Sequence, residues 1–123
     1  MSAGLRITFL VHFIVALVSG LALLLMPETW GSMMGVPVTD PMMMRLFGAA
    51  LLGFGAASSW LAYRAGAWEK VKIVVQMEIV WTILGALVIL WGLLSGGFAA
   101  TWWPDFVILA GFAVAFIVFY QRK

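Results

Sequence analysis

Apolar residues run along the chain in four long stretches, separated by short polar or glycine-containing segments. An α-helix rises about 1.5 Å per residue, so about 20 mostly apolar residues are needed to cross a hydrocarbon core of about 30 Å. The stretches of this length cover residues 5–26, 42–63, 71–94 and 103–120. The pattern predicts an all-α membrane fold, a four-transmembrane-helix bundle that forms one domain over residues 1–123.

Proline, glycine and capping residues mark the predicted helix ends. Asp40-Pro41 begins the second helix, because an acidic side chain accepts the first free N–H groups and proline suits the first helical turn. The segment Pro27 to Gly35 begins with proline and an acid and ends with glycine, and its Trp30 and Met34 stand at helical spacing. We expect a short interfacial helix here, in the first outer loop.

The composition supports a membrane location and narrows the function classes. The chain is 65% apolar and 10% charged, whereas soluble domains average about 45 to 50% and about 25%. Its seven cations are spread along the whole chain, which argues against a nucleic-acid partner. With no cysteine and one histidine, thiolate metal sites and bis-histidine haem are excluded. The sequence therefore predicts no metal and no cofactor, and the lipid bilayer as the main partner.

The distribution of positive charge predicts the orientation in the membrane. Six of the seven cations fall on the side of the bundle that holds both termini: Arg6, Arg64, Lys70, Lys72, Arg122 and Lys123. Only Arg45 falls on the other side. Because cytoplasmic loops carry the excess of Lys and Arg, we expect a multi-pass protein of the cell (cytoplasmic) membrane with both termini in the cytoplasm.

Small residues form two stripes on the second helix. They are Ala49, Gly53 and Ala57 on one face, and Gly48, Leu52, Gly55 and Ser59 on another. Small residues let helix backbones approach closely in lipid. The stripes fit packing within the bundle, and they also fit the seam of a homo-oligomer.

Two ionisable residues, His12 and Glu78, lie well inside the predicted spans, where a charge is energetically costly and therefore needs a partner or a function. His12 follows Arg6 by six residues and Glu78 follows Lys72 by six residues, so both lie about 9 Å beyond the cationic edge. Ser58 and Ser59 reach nearly the same depth on the second helix, and Trp81 shares a helix face with Glu78. We expect these five residues to form one polar layer.

The polar layer supports two hypotheses. In the first, it is a small pocket that opens to the cytoplasm, with Glu78 as anionic anchor or proton acceptor, His12 as its titratable partner and Trp81 as an aromatic wall. A cationic or hydrogen-bonding amphiphile would suit such a pocket. In the second, His12 and Glu78 are a buried hydrogen-bonded pair that fixes the helix register.

Two features of the outer side also have alternative explanations. Arg45 needs an anion, and Asp40, Glu28 or Asp105 could supply it in a structural ion pair; a lipid headgroup or an anionic substrate is the alternative. Five methionines cluster in the same region, where they serve as flexible apolar filler or as Cu(I) ligands. They are Met33, Met34, Met42, Met43 and Met44.

The chain resembles the small four-helix integral membrane proteins of bacteria and archaea that include the DoxX-like and uncharacterised families. The resemblance is carried by Leu25-Met26-Pro27, by the loop helix that closes at Gly35, and by Arg45-Leu46-Phe47-Gly48-Ala49 followed by Leu52-Gly53. It covers about half of the chain. It implies the four-helix fold and no particular activity.

From these observations we expect a non-catalytic membrane protein that binds a small amphiphile or a partner helix in a cytoplasm-facing polar layer. One alternative is an oligomeric, proton-coupled transporter or channel in which Glu78 exchanges protons for a cation. A further alternative is a lipid-modifying enzyme with Glu78 and His12 as acid and base.

Overall fold

The computed structural model describes residues 1–122, and within that range the chain forms helices and turns and no strand. Lys123, one of the cations counted above, lies outside the described residues. The helices are α1 (Ala3–Leu25), α2 (Pro27–Met34), α3 (Pro41–Ala50), α4 (Ser58–Ala65), α5 (Trp68–Ser95) and α6 (Trp103–Arg122). A π-helical segment, Leu51–Ala57, joins α3 to α4, and a 3₁₀ turn, Ala100–Trp102, precedes α6.

Four helical stretches are long and apolar enough to cross a membrane. They cover Ala3–Leu25, Pro41–Ala65, Trp68–Ser95 and Ala100–Arg122. Each matches one of the predicted spans to within three residues at either end. The outer faces carry large apolar side chains that are exposed, among them Ile7, Val18 and Leu61, as expected for helices that face lipid. This architecture indicates a membrane protein.

The predicted helix ends are confirmed where capping chemistry marked them. Asp40 accepts hydrogen bonds from the backbone N–H groups of Met42 and Met43, at 3.1 and 3.2 Å, and so caps α3. The helix predicted after Met26 forms as α2, and Gly35 ends it in the left-handed conformation at φ 68°. A residue without a side chain is favoured there.

The spans are arranged as the four corners of a bundle. α1 packs along the continuous span from α3 to α4, α5 packs along α6, and α6 lies beside α1. α4 also contacts α5, which leaves α1 and α5 on one diagonal. The start of α1, the end of α6 and the α4–α5 turn lie at one end of the bundle, called the termini end below. α2 and the 3₁₀ turn lie at the other, the loop end.

A glycine seam joins α1 to the second span, and it is formed by Gly20, Gly48 and Gly55. A Cβ atom on Gly48 would lie 2.7 Å from the backbone nitrogen of Leu24 and 2.8 Å from the carbonyl oxygen of Gly20. The backbones therefore touch, which gives close van der Waals packing in lipid. One of the two predicted small-residue stripes is thus used inside the bundle.

The other stripe faces outward. Ala49, Gly53 and Ala57 are exposed, and a Cβ atom on Gly53 would meet no described atom within 4 Å. The second span therefore contacts α1 through one small face and leaves the other small face free.

The core lies near the termini end. Its members are apolar, are buried and come from all four spans: Leu5, Phe9, Ala62, Val71, Val75, Phe112 and Phe116. The rings of Phe9 and Phe116 lie 5.3 Å apart in a tilted arrangement. We call this region the termini half; its side chains fill the space between the helices.

The ion pair predicted for Arg45 does not form among residues 1–122. Arg45 Nη1 donates instead to the carbonyl oxygen of Leu24, at 2.5 Å, while Asp40 caps α3 and Glu28 is exposed in the first turn of α2. The last carbonyls of a helix lack partners within the helix and carry partial negative charge, so a cation satisfies them. Arg45 thus caps the end of α1.

The methionines that cluster at the loop end contribute to an apolar surface. Met33, Met42 and Met43 are exposed, which fits apolar filler at a lipid interface. The alternative Cu(I) site stays a prediction.

Candidate functional site

The predicted polar layer assembles around His12 of α1. Its Nδ1 lies 2.7 Å from Ser59 Oγ of α4, and its Nε2 lies 3.5 Å from Glu78 Oε2 of α5. His12 and Glu78 are each 3% exposed, and Ser59 is fully buried. Three separate spans therefore place a hydroxyl, an imidazole and a carboxyl group in one contact chain.

His12 and Glu78 meet across the diagonal of the bundle. In the described part of the chain, no Cα atom of α1 lies within 8 Å of one in α5, so the two side chains span the centre by their own length. On the termini side, the imidazole ring packs edge-on against Phe112 at 4.8 Å and against Phe116 at 5.7 Å. The polar layer thus rests directly on the apolar core of the termini half.

The π-helical segment ends where the two serines begin, and both serines contact the layer. Ser58 Oγ lies 3.3 Å from Glu78 Oε1, while Ser59 contacts His12. π-helical turns are rare and often occur at functional sites. On the other side of Glu78, Thr82 Oγ1 donates to the Glu78 carbonyl oxygen at 2.6 Å.

The hydroxyl group of Ser58 has one proton and lies within hydrogen-bond distance of three acceptors. It contacts the carbonyl oxygens of Phe54 and Gly55 in its own helix as well as the carboxyl group of Glu78. An ionised carboxylate only accepts hydrogen bonds, whereas a protonated carboxyl group also donates one. When Ser58 donates to its own helix, a hydrogen bond between Ser58 and Glu78 therefore needs a proton on Glu78.

A cavity of about 470 Å³ begins at His12 and extends toward the loop end. Its sides are apolar residues of α1, α5 and α6, including Val15, Leu84, Val88 and Leu109, together with Trp81. Small-molecule sites in proteins occupy about 300 to 1,000 Å³ and are lined mainly by apolar and aromatic side chains. The cavity has the size and lining of such a site.

The position of this cavity differs from the sequence-based expectation of a pocket that opens toward the termini. The space on that side of His12 is filled by Leu5, Phe9, Val75 and Phe116, all of them fully buried. The free volume lies on the opposite side of the polar layer.

The loop end of the cavity is aromatic and acidic. Trp30, Phe98 and Trp102 line it, and Asp105, in the first turn of α6, lies beside them. Trp102 stacks on Phe98 at 4.3 Å and meets Trp30 edge-on at 5.4 Å. The predicted site did not include these residues, which come from the first outer loop, the α5–α6 loop and the start of α6.

A second, smaller cavity of about 190 Å³ lies between the π-helical segment and α5. Glu78 lines this lateral cleft together with Phe47, Phe54 and Met77. Phe47, Leu51 and Trp81 line both cavities. Glu78 therefore borders the cleft while His12 borders the larger cavity, and the two side chains meet between them.

The order hydroxyl, imidazole, carboxyl is also that of a hydrolytic triad, but Ser59 is not placed as a nucleophile. It is fully buried and is not among the residues that line either cavity. A nucleophile has to reach the substrate atom that it attacks. The arrangement can orient the imidazole and hold a proton.

Comparisons with known proteins identify no significant match to this chain. No protein-family model matches this chain, and neither a curated protein nor a solved structure matches it at a significant level. The resemblance to DoxX-like proteins therefore stays a prediction.

Proposed function

We propose that this protein is a non-catalytic, multi-pass membrane protein that binds a small amphiphile in the large cavity between its four spans. The observation that carries the proposal is the cavity itself, about 470 Å³ with an almost entirely apolar lining and polar groups at its two ends. An apolar body fits the sides, and a polar group fits either end.

In this proposal the polar layer defines the inner end of the site. His12 and Trp81 line the cavity and contact the ligand. Ser59 and Glu78 hold the imidazole from its two nitrogen atoms, and Ser58 holds Glu78. Neighbours that fix both nitrogen atoms orient a histidine and select its tautomer.

Filling the cavity tests the proposal. Ser19 lines the cavity near the middle of α1, so Ser19→Phe places a ring inside it. The matched control is Val18→Phe, because Val18 is the next residue and is exposed on the outer face of α1. Small molecules that copurify with the protein in detergent-free nanodiscs are identified by mass spectrometry of solvent extracts.

We expect wild type and Val18→Phe to retain one amphiphile in about stoichiometric amount, and Ser19→Phe to lose it. Equal retention by Ser19→Phe, or no molecule above the bulk lipid background in wild type, contradicts the proposal. A thermal unfolding curve for each variant shows whether the substitutions leave the bundle folded.

The proposed location is the cell membrane, with both termini in the cytoplasm. It is supported by the concentration of cations at the termini end. The chain has no cysteine, so a single introduced cysteine reports one position. Ser32→Cys in exposed α2 is expected to react with a membrane-impermeant maleimide in intact cells, and Ala67→Cys, exposed at the termini end, only after lysis. The reverse pattern overturns the orientation.

The alternative with most support is an oligomeric, proton-coupled transporter. Glu78 borders the lateral cleft and His12 borders the large cavity. Their side chains contact each other, which supports this alternative. The outward stripe of Ala49, Gly53 and Ala57 lies on the same span as the cleft. In proteoliposomes, this alternative predicts a proton flux that Glu78→Gln abolishes, and a crosslinked dimer that Gly53→Leu disrupts.

A further inference from the structure

The large cavity is chemically different at its two ends. His12 is the polar residue at its inner end and is already held by Ser59 and Glu78. Asp105 is the acidic residue at its loop end. On α6, Asp105 precedes Phe112, the ring against His12, by seven residues, which separates the two ends by about 10 Å. An amphiphile that spans this length meets a different partner at each end.

Asp105 lacks a partner of opposite charge. Within residues 1–122, no Lys, Arg or His nitrogen lies within 4.0 Å of it. Arg45, the only Lys or Arg at the loop end among residues 1–122, is bonded to the end of α1. A carboxylate that is partly buried and unpaired is costly, and a positively charged ligand group removes that cost.

The aromatic rings complete the environment of a cation. Trp30, Phe98 and Trp102 line the loop end together, and aromatic faces attract alkylammonium groups, tryptophan most strongly. Below them the sides of the cavity are aliphatic.

We infer, on the basis of the proposed function, that the ligand is a cationic amine amphiphile. The ammonium group lies at Asp105 among the rings of Trp30 and Trp102, and the alkyl body extends toward His12. The ligand class is that of long-chain alkylamines, with the head group at the loop end of the cavity.

Two probes with one alkyl chain test the inference: octylamine and octanol. Binding to fluorotryptophan-labelled protein in zwitterionic nanodiscs is followed by fluorine NMR, with the Trp102 resonance assigned from Trp102→Phe. Empty nanodiscs correct for partitioning into lipid. Asp105→Asn removes the carboxylate, and Glu28→Gln is the matched control, because Glu28 is an exposed acid at the same end of the bundle.

We expect octylamine to bind wild type about tenfold more tightly than octanol, a ratio that corresponds to about 1.4 kcal/mol. Asp105→Asn is expected to remove this preference without changing the affinity for octanol, and Glu28→Gln to preserve it.

The outcomes separate this inference from the proposed function. If octanol binds wild type as tightly as octylamine, or if the amine preference persists in Asp105→Asn, the cationic ligand class is wrong while the cavity still binds an amphiphile. If Ser19→Phe leaves the binding of both probes unchanged, the cavity is not the site and the proposed function fails with it.

Discussion

The two halves of the bundle are built from the same four spans and are packed differently. In the termini half, Leu5, Phe9, Val75 and Phe116 fill the centre and are fully buried. In the loop half, the same spans enclose a cavity of about 470 Å³. The polar layer of His12, Ser59 and Glu78 is the boundary between them. Apolar composition alone therefore does not decide which part of a membrane bundle is densely packed.

The difference arises from the spacing of the helices. α4 contacts α5 near the termini end, whereas, in the described chain, no Cα atom of α3 or the π-helical segment lies within 8 Å of α5. The glycine seam holds the second span close to α1, so the free space lies toward α5. A bundle with one tight seam and one open side combines stability with room for a ligand.

The largest expected contrast concerns leucine truncation in the two halves. Leu5→Ala is expected to cost about 2 to 5 kcal/mol, because it leaves a void in filled packing. Leu109→Ala, which only enlarges an existing cavity, is expected to cost clearly less. The free energy of unfolding is measured by dodecyl sulfate titration in mixed micelles. Equal losses would mean that the halves do not differ in packing energy.

The next contrast concerns two glycines on the second span. Gly48→Ala forces a methyl group against the backbone of α1, and overpacking of this kind costs about 1 to 3 kcal/mol. Gly53→Ala adds a methyl group in open space and is expected to change stability by less than about 1 kcal/mol. The same titration checks both. A loss at Gly53 as large as that at Gly48 would show that the outward stripe is also packed.

A third contrast concerns the adjacent serines at the boundary. Ser59→Ala leaves His12 Nδ1 buried without its partner, which costs about 1 to 3 kcal/mol. Ser58→Ala removes a half-buried hydroxyl that also bonds to its own helix, and a smaller loss is expected. Combining each with His12→Ala gives the coupling free energy. Coupling is expected only for Ser59, and similar coupling for Ser58 would contradict this assignment.

The smallest contrast concerns two glycine-to-alanine substitutions whose effects on stability are expected to differ in sign. Gly85→Ala adds a methyl group beside the end of the Leu109 side chain, 3.0 Å away. Because Leu109 borders free space and can move, we expect stability to stay unchanged or to rise by up to about 1 kcal/mol through the higher helix propensity of alanine. Gly4→Ala in the termini half places a methyl group against the ring of Phe119, and a loss is expected. Melting temperatures in one detergent compare the two. If both variants lose stability by a similar amount, the loop half does not contain more free space than the termini half.

Much of the fold could be predicted because it depends on local spacing. The length of each apolar stretch determines the spans, and residues such as Asp40 and Gly35 determine where helices begin and end. The depth of His12 and Glu78 followed from the helical rise alone, and the two residues do meet.

The rest depended on distances between helices. Arg45 is bonded to Leu24 rather than to an acid, since the end of α1 lies within its reach only in the folded bundle. The acidic and aromatic loop end combines Trp30 with Trp102 and Asp105, which are far apart in the sequence.

The sequence by itself determined that four apolar helices form, where they end, and which polar side chains share a depth. Only the tertiary structure decided which side of the polar layer is filled and which is open. The reason is that helix length and capping are local properties of the chain. A cavity, in contrast, is the volume that remains between helices once backbone contacts such as that of Gly20 with Gly48 have set their separation.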